Sequence, residues 1–256
     1  MNDFLLLLLA PLFFAISFIY SSAGFAGGSS YIAILVLVGI NIYTIPPISL
    51  ALNIIVSSAA LFNYIRAGHL SLRFSAPLLV SIPFAFVAGT LVLPEFTLTL
   101  VFIVTLFTAS GILLLSGNSI KNRRAKVRKM NLNFAKKVMI TAPLGSALGS
   151  IAGLVGIGGG IWLSPILIIT GMASPKKAAA SASLFILTNS VSSFIAHSIT
   201  KKVDLDLIIP LAVVVLAGGL LGSRLGAFKF SHDKLVTIIG IIVAVAGINL
   251  VVKLFT

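Results

Sequence analysis

Leu98–Leu115 and Leu235–Val252 are apolar runs without a single charged residue. Runs of about 18 residues or more are long enough to cross a hydrocarbon core as helices. In that medium no water pairs with exposed backbone N–H and C=O groups, so only helices and closed barrels span it. A barrel needs short strands of alternating polarity, and continuous apolar runs exclude one. The whole chain agrees: 59 % of its 256 residues are hydrophobic and 9 % are charged, against roughly 25 % charged in soluble domains. The expectation is an all-α polytopic membrane protein.

Ten apolar stretches emerge, at about 4–22, 30–40, 48–65, 75–93, 97–116, 137–155, 159–170, 178–198, 206–224 and 234–253. The first is read as a membrane helix and not a cleavable signal, because Asp3 replaces a basic start and the apolar run passes Phe14. The second and seventh are too short to span upright, and each follows a glycine-rich interruption. These are Gly24-Phe-Ala-Gly27-Gly28-Ser29-Ser30 and Gly153-Leu-Val-Gly156-Ile-Gly158-Gly159-Gly160. The order long, break, short, long, long, long therefore occurs twice. Pro77, Ala85 and Gly89 also match Pro210, Gly218 and Gly222 at one constant offset. The chain divides into a first membrane repeat at 1–117, a basic connector at 118–136 and a second repeat at 137–256. Thr44-Ile-Pro46-Pro47 and Ser174-Pro175 look like helix starts, with Ser or Thr as cap and Pro in the first turn.

Charge orients the repeats. Lys121, Arg123, Arg124, Lys126, Arg128, Lys129, Lys136 and Lys137 concentrate in or beside the connector, which marks it as cytoplasmic and suited to anionic lipid headgroups. If each glycine break is the apex of a hairpin, Arg66/Arg73, Lys176/Lys177 and Arg224/Lys229/Lys234 join it on the same side. Without that reversal the last two groups would lie outside. The hairpin arrangement gives two inverted repeats, each a glycine-broken hairpin plus three spanning helices, with both termini extracytoplasmic in the cytoplasmic membrane.

A glycine break exposes backbone N–H groups at the start of the helix behind it, and that end carries about +0.5 charge. Two such ends near the midplane would bind a small anion without a side-chain cation. Paired glycine-interrupted segments in two halves are also the sequence signature of a transporter site. The candidate contacts are Gly27, Gly28, Ser29, Gly156, Gly158, Gly159 and Gly160 at the breaks, with Asn53, Ser57, Ser183 and Asn189 on the long helices that follow. Interhelical or same-helix hydrogen bonding is the alternative for these polar side chains. The series Gly218/Gly222/Gly226 and Gly145/Gly149/Gly153 read as packing faces. Trp162 either lines the cavity or packs, and His197 reads as a structural histidine.

Other chemistries find little support. The basic charge is confined to connectors, which argues against nucleic acid. There is no cysteine, no metal-ligand cluster and no phosphate-binding motif, so neither a metal nor a cofactor is expected. Ser29, Ser30 and His197 are the parts of a conceivable intramembrane hydrolase, but no acid orients the base. An ion-coupled permease for another small solute, with unwound carbonyls holding Na⁺, remains the second reading.

At these residues the chain resembles the sulfite exporter TauE/SafE family of membrane transporters. The resemblance rests on Ala23-Gly24-x-x-Gly27-Gly28, Ala152-Gly153-x-x-Gly156-x-Gly158-Gly159-Gly160, Tyr64-x-Arg66-x-Gly68-His69-Leu70 and Gly219-Leu-Leu-Gly222-Ser-Arg224-Leu. It implies a secondary transporter for a small sulfur-containing anion, such as sulfite or an organosulfonate, working by alternating access. Ser29-Ser30 departs from a fuller glycine run, which would make the two half-sites unequal and the one at 156–160 the stronger.

Overall fold

The computed structural model describes the backbone of residues 3–123, 134–230 and 232–255, and the side chains of 6–116, 138–230 and 235–252. Among the described residues there is no strand. The helices are α1 (Asp3–Ser22), α2 (Gly28–Leu37), α3 (Ile45–Arg66), α4 (Leu72–Ser75), α5 (Ser81–Gly89), α6 (Glu95–Arg123), α7 (Phe134–Val155), α8 (Gly160–Ile169), α9 (Pro175–Thr200), α10 (Leu205–Phe228) and α11 (His232–Phe255). A 3-10 segment, Ala76–Val80, joins α4 to α5; Pro77 within it lacks the donor that a regular helix would use. Each of the ten apolar stretches is thus helical. Among the described residues seven helical segments are long and apolar enough to cross a membrane. The connector narrows, since α6 runs on to Arg123 and α7 begins at Phe134; 124–133, with most of its bases, lie outside the described residues.

The two short helices have 10 residues each, or about 15 Å at 1.5 Å per residue. That is half of a hydrocarbon core of roughly 30 Å. Nearly every residue of both is buried, so protein and not lipid surrounds them.

The packing partners are unchanged when the halves are exchanged. α1 packs on α10 as α7 packs on α5, and α3 meets α10 as α9 meets α5. α2 sits against α11 and α3, while α8 sits against α6 and α9. The remaining large interfaces, α3 with α9 and α6 with α11, join equivalent helices across the halves. Each half therefore completes the other. Outward-facing side chains such as Val104, Leu115, Val213, Leu221 and Ile241 are exposed and apolar, as a lipid-facing surface requires.

The glycine series are contact faces. Added Cβ atoms at Gly218, Gly222 and Gly226 would run into the backbone of α1 at Phe14, Phe18 and Ser22. On α7, a Cβ at Gly153 would run into the backbone at Ala85, one at Gly145 would lie 3.0 Å from the Leu78 carbonyl oxygen, and Gly149 lies against Ser81. Small residues let two backbones approach where lipid supplies no hydrophobic drive. The expected side-chain caps do not form: neither Thr44 nor Ser174 caps its helix through its hydroxyl. Thr44 instead donates to the Asn41 carbonyl at 2.8 Å, and the prolines in the first turns of α3 and α9 set the helix start. Asp204 does cap α10, accepting from the Leu207 amide at 3.1 Å.

Gly222→Val should lower stability by about 1–3 kcal/mol through overpacking against α1. Gly111→Ala, where nothing lies within 4 Å of the new Cβ, should be neutral or raise it by up to about 1 kcal/mol. Thermal unfolding of the detergent-solubilised protein separates the two, and equal midpoints would contradict the packing role.

Candidate functional site

Both breaks depend on left-handed backbone. In the first, Gly24 and Gly27 have φ of +81° and +110°. In the second, Gly156, Gly158 and Gly159 have +84°, +83° and +74°, a region costly for residues with a Cβ. Ser30 and Tyr31 return their amides to the Gly27 carbonyl at 3.0 Å each. The amides of Gly28 and Ser29 are left with no backbone acceptor among the described residues, as a helix start entails. In the second break Gly160 donates to Gly158 O at 3.0 Å and Trp162 to Gly159 O at 3.4 Å. The amides of Gly158, Gly159 and Ile161 have no backbone acceptor among the described residues.

The two breaks touch. A Cβ placed on Gly28 would lie 2.5 Å from Asn53 Nδ2 and 3.0 Å from the Ile157 carbonyl oxygen. A Cβ on Gly158 would lie 3.3 Å from Asn53 Nδ2 and 3.1 Å from Ser190 Oγ. Asn53 thus stands between the start of α2 and the turn that leads into α8. It donates to Gly156 O at 3.3 Å, and Ser49 donates to the same carbonyl at 2.8 Å. Ser183 on α9 donates to Gly24 O at 3.2 Å. Each long helix therefore holds the break of the opposite half.

Not all the residues singled out in sequence reach this point. Ser57 lies on the same stripe as Asn53 but donates to Asn53's own carbonyl at 2.6 Å. Ser183 shares its hydrogen with Ala179 O at 2.8 Å and sits by the first break. Asn189 donates to Phe185 O at 2.7 Å, and its Oδ1 faces Gly149 of α7 and not the breaks. Ser29 is taken up by Tyr20, whose hydroxyl lies 3.2 Å from Ser29 Oγ and 2.6 Å from Ser30 Oγ. Ser49, Tyr20 and Ser190 were not among the candidate contacts read from the sequence. The one available signal was a serine-rich stretch of α9 too dense in hydroxyls to favour one.

Several buried polar atoms have no hydrogen-bond partner: Asn53 Oδ1, Asn189 Oδ1, Ser81 Oγ, Ser164 Oγ and Ser190 Oγ. An unpaired buried acceptor costs about 1–3 kcal/mol, so such atoms mark strain or a missing partner. Asn53 Oδ1 and Ser190 Oγ are the two at the breaks.

Farther out, polar side chains tie each hairpin. Tyr64 donates to Ser22 O at 2.9 Å at the end of α1. In the other half His197 occupies the comparable place, with Nε2 2.7 Å from Gly153 O. Because a carbonyl only accepts, Nε2 carries the proton, and Nδ1 accepts from Lys201 at 2.8 Å. Burial lowers the Lys201 ammonium to about 8. The histidine is structural. Trp162 is buried and borders an apolar cavity of about 530 Å³ between α6 and α7, lined by residues such as Val104, Thr108 and Leu148. Among the described residues no group of three His, Cys, Asp or Glu gathers to hold a metal ion.

Comparison with known proteins places this architecture. A family model described as "Sulfite exporter TauE/SafE" matches residues 9–250. A "Probable membrane transporter protein y4hK" from Sinorhizobium fredii (strain NBRC 101917 / NGR234) is 28 % identical over 247 residues, covering 94 % of this chain and 96 % of that protein. A "Probable membrane transporter protein" from Xylella fastidiosa (strain Temecula1 / ATCC 700964) is 26 % identical over 114 residues, 44 % of this chain and 43 % of its own. No solved structure matches. The glycine-broken segments fall inside the matched region, and the chain belongs to the sulfite exporter TauE/SafE family of membrane transporters.

Proposed function

We propose that this chain is a secondary transporter that carries a small sulfur-containing anion across the cytoplasmic membrane by alternating access. The observation that carries the reading is the meeting of both glycine breaks at Asn53. Two helix starts with amides that lack a backbone acceptor come together at the buried Asn53 side chain, and a helix start stabilises an anion by about 0.3–2 kcal/mol. One such end does not offset dehydration of an anion; two ends with side-chain donors come closer. The sulfur chemistry comes from the family description. Gly27, Gly28, Gly156, Gly158, Gly159 and Gly160 supply or shape the amide cradle, and Asn53 and Ser49 are side chains that contact both breaks. Ser29, Ser57, Ser183 and Asn189 support the surrounding backbone.

Exchange of packing partners supports two structurally equivalent repeats. The distribution of bases supports their inversion, with the 118–136 connector cytoplasmic, next to anionic headgroups, and both termini outside. Alternating access then consists of rocking one repeat against the other around the breaks. The carbonyls of Gly28 and Gly156, which meet at Ser49, also favour a second reading, a Na⁺ ligand set that couples or replaces the anion.

In proteoliposomes, sulfite, thiosulfate or an organosulfonate should be taken up by the parent chain. Gly159→Val, which forces a β-branched residue to φ +74° at a cost of about 1–3 kcal/mol, should reduce that flux to background while membrane insertion persists. Normal flux in the variant would remove the breaks from the mechanism. Ser57→Ala should leave flux close to the parent's, because its hydroxyl serves its own helix; a severe loss would restore it as a ligand.

The chain has no cysteine, so single introduced cysteines report topology cleanly. Asn118→Cys should resist a membrane-impermeant maleimide in intact cells, whereas Thr256→Cys should react. The reverse pattern would invert the proposed orientation.

A further inference from the structure

Asn53 is fixed in orientation by its neighbours. Its Nδ2 faces Gly156 O at 3.3 Å, and a carbonyl only accepts, so the opposite face of the carboxamide presents Oδ1. That oxygen is buried, has no donor, and lies 3.0 Å from the position a Gly28 Cβ would take. Ser190 Oγ is buried and unpartnered as well, on the Gly158 side of the same carboxamide. The place where the breaks meet therefore offers more than donors. It holds free amides and an acceptor with nothing to accept.

Its charge is limited too. Every Lys and Arg among the described side chains sits at a helix end or connector: Arg66, Arg73, Lys176, Lys177, Lys201, Lys202, Arg224 and Lys229. What remains at the breaks is two helix starts of about +0.5 each, together worth roughly one positive charge. A dianion would leave a full negative charge unbalanced in a low dielectric. An anion with acceptor oxygens alone would also set a lone pair against Asn53 Oδ1.

We propose that the site selects a singly charged oxyanion that brings its own hydrogen-bond donor. Hydrogensulfite, or a sulfonate with a hydroxyl group close to sulfur, has this chemistry. Asn53 Oδ1 accepts from that donor, Ser190 Oγ on the Gly158 side offers the ligand a second open hydroxyl, and the amides of the two breaks take the sulfonyl oxygens. This inference rests on the anion-transport reading above and narrows its substrate class.

The test compares methanesulfonate with hydroxymethanesulfonate, equal in charge and different in one donor, alongside sulfate as an acceptor-only dianion. Flux is measured with the full chain in proteoliposomes, with and without Na⁺. The parent chain should carry hydroxymethanesulfonate faster by at least about tenfold and exclude sulfate. Asn53→Ala should bring the ratio of the two monoanions near one. Because Asn53 also holds Gly156, this variant risks failing to fold. Ser190→Ala removes a hydroxyl that makes no hydrogen bond and should lower the ratio with insertion unaffected. Equal carriage of the two monoanions by the parent chain, or sulfate flux matching theirs, would overturn the inference while leaving anion transport standing. A ratio unchanged in both variants, or in Ser190→Ala where Asn53→Ala does not insert, would overturn it as well. A Na⁺ requirement without donor preference would overturn it in favour of a cation on Asn53 Oδ1. Absence of flux for every sulfur anion would take down both readings together.

Discussion

Backbone that leaves the helix inside an apolar medium must find its hydrogen bonds within the protein, and this requirement organises the molecule. At both breaks the chain cannot satisfy itself. Gly156 O is taken by Ser49 and Asn53 of the first half, and Gly24 O by Ser183 of the second. The α3–α9 interface is therefore the place where each half repairs the other's interruption. The short helices can end in mid-protein because the opposite half encloses them. The glycine faces of α7 and α10 act in the same direction, bringing α5 and α1 close enough to close the shell.

This interdependence gives the functional region its character. The proposed site, made of amides at helix starts, has few adjustable side chains, so its chemistry would depend on how closely two backbones meet. Glycine is required at Gly28 because Asn53 occupies the space a side chain would need, and at Gly158 because of its φ of +83° and the Ile186 side chain beside it. The same contact leaves one face of the Asn53 carboxamide without a partner. Two buried polar atoms without a partner, Asn53 Oδ1 and Ser190 Oγ, thus lie where the two breaks meet.

The parts legible in the sequence were those with local causes. Helix existence followed from apolar length, and the interruptions from glycine. Which polar side chains face the junction was not legible, because nearly every neighbour is apolar and helical periodicity has little contrast to work with. Asn53 and Ser57 share a stripe, yet a serine hydroxyl reaches its own helix's carbonyl one turn back while a carboxamide reaches across. Asn189 and Ser190 are adjacent, yet about 100° per residue of helix rotation sends one toward α7 and the other toward Gly158. Tyr20 was missed for a similar reason: its tie to Ser29 and Ser30 exists only because the break folds α2 back beside α1.

By itself the sequence determined that this chain is a helical membrane protein with two glycine-broken halves, since hydrophobic length and glycine's freedom act residue by residue. Tertiary structure alone decided that the breaks touch, that each is held from the opposite half, and that Asn53 rather than Ser57 or Asn189 stands between them. Those outcomes depend on helix rotation and on the approach of backbones more than 100 residues apart along the chain. The pattern of apolar letters does not encode either quantity, because a lipid-facing side and a protein-facing side are built from the same residues.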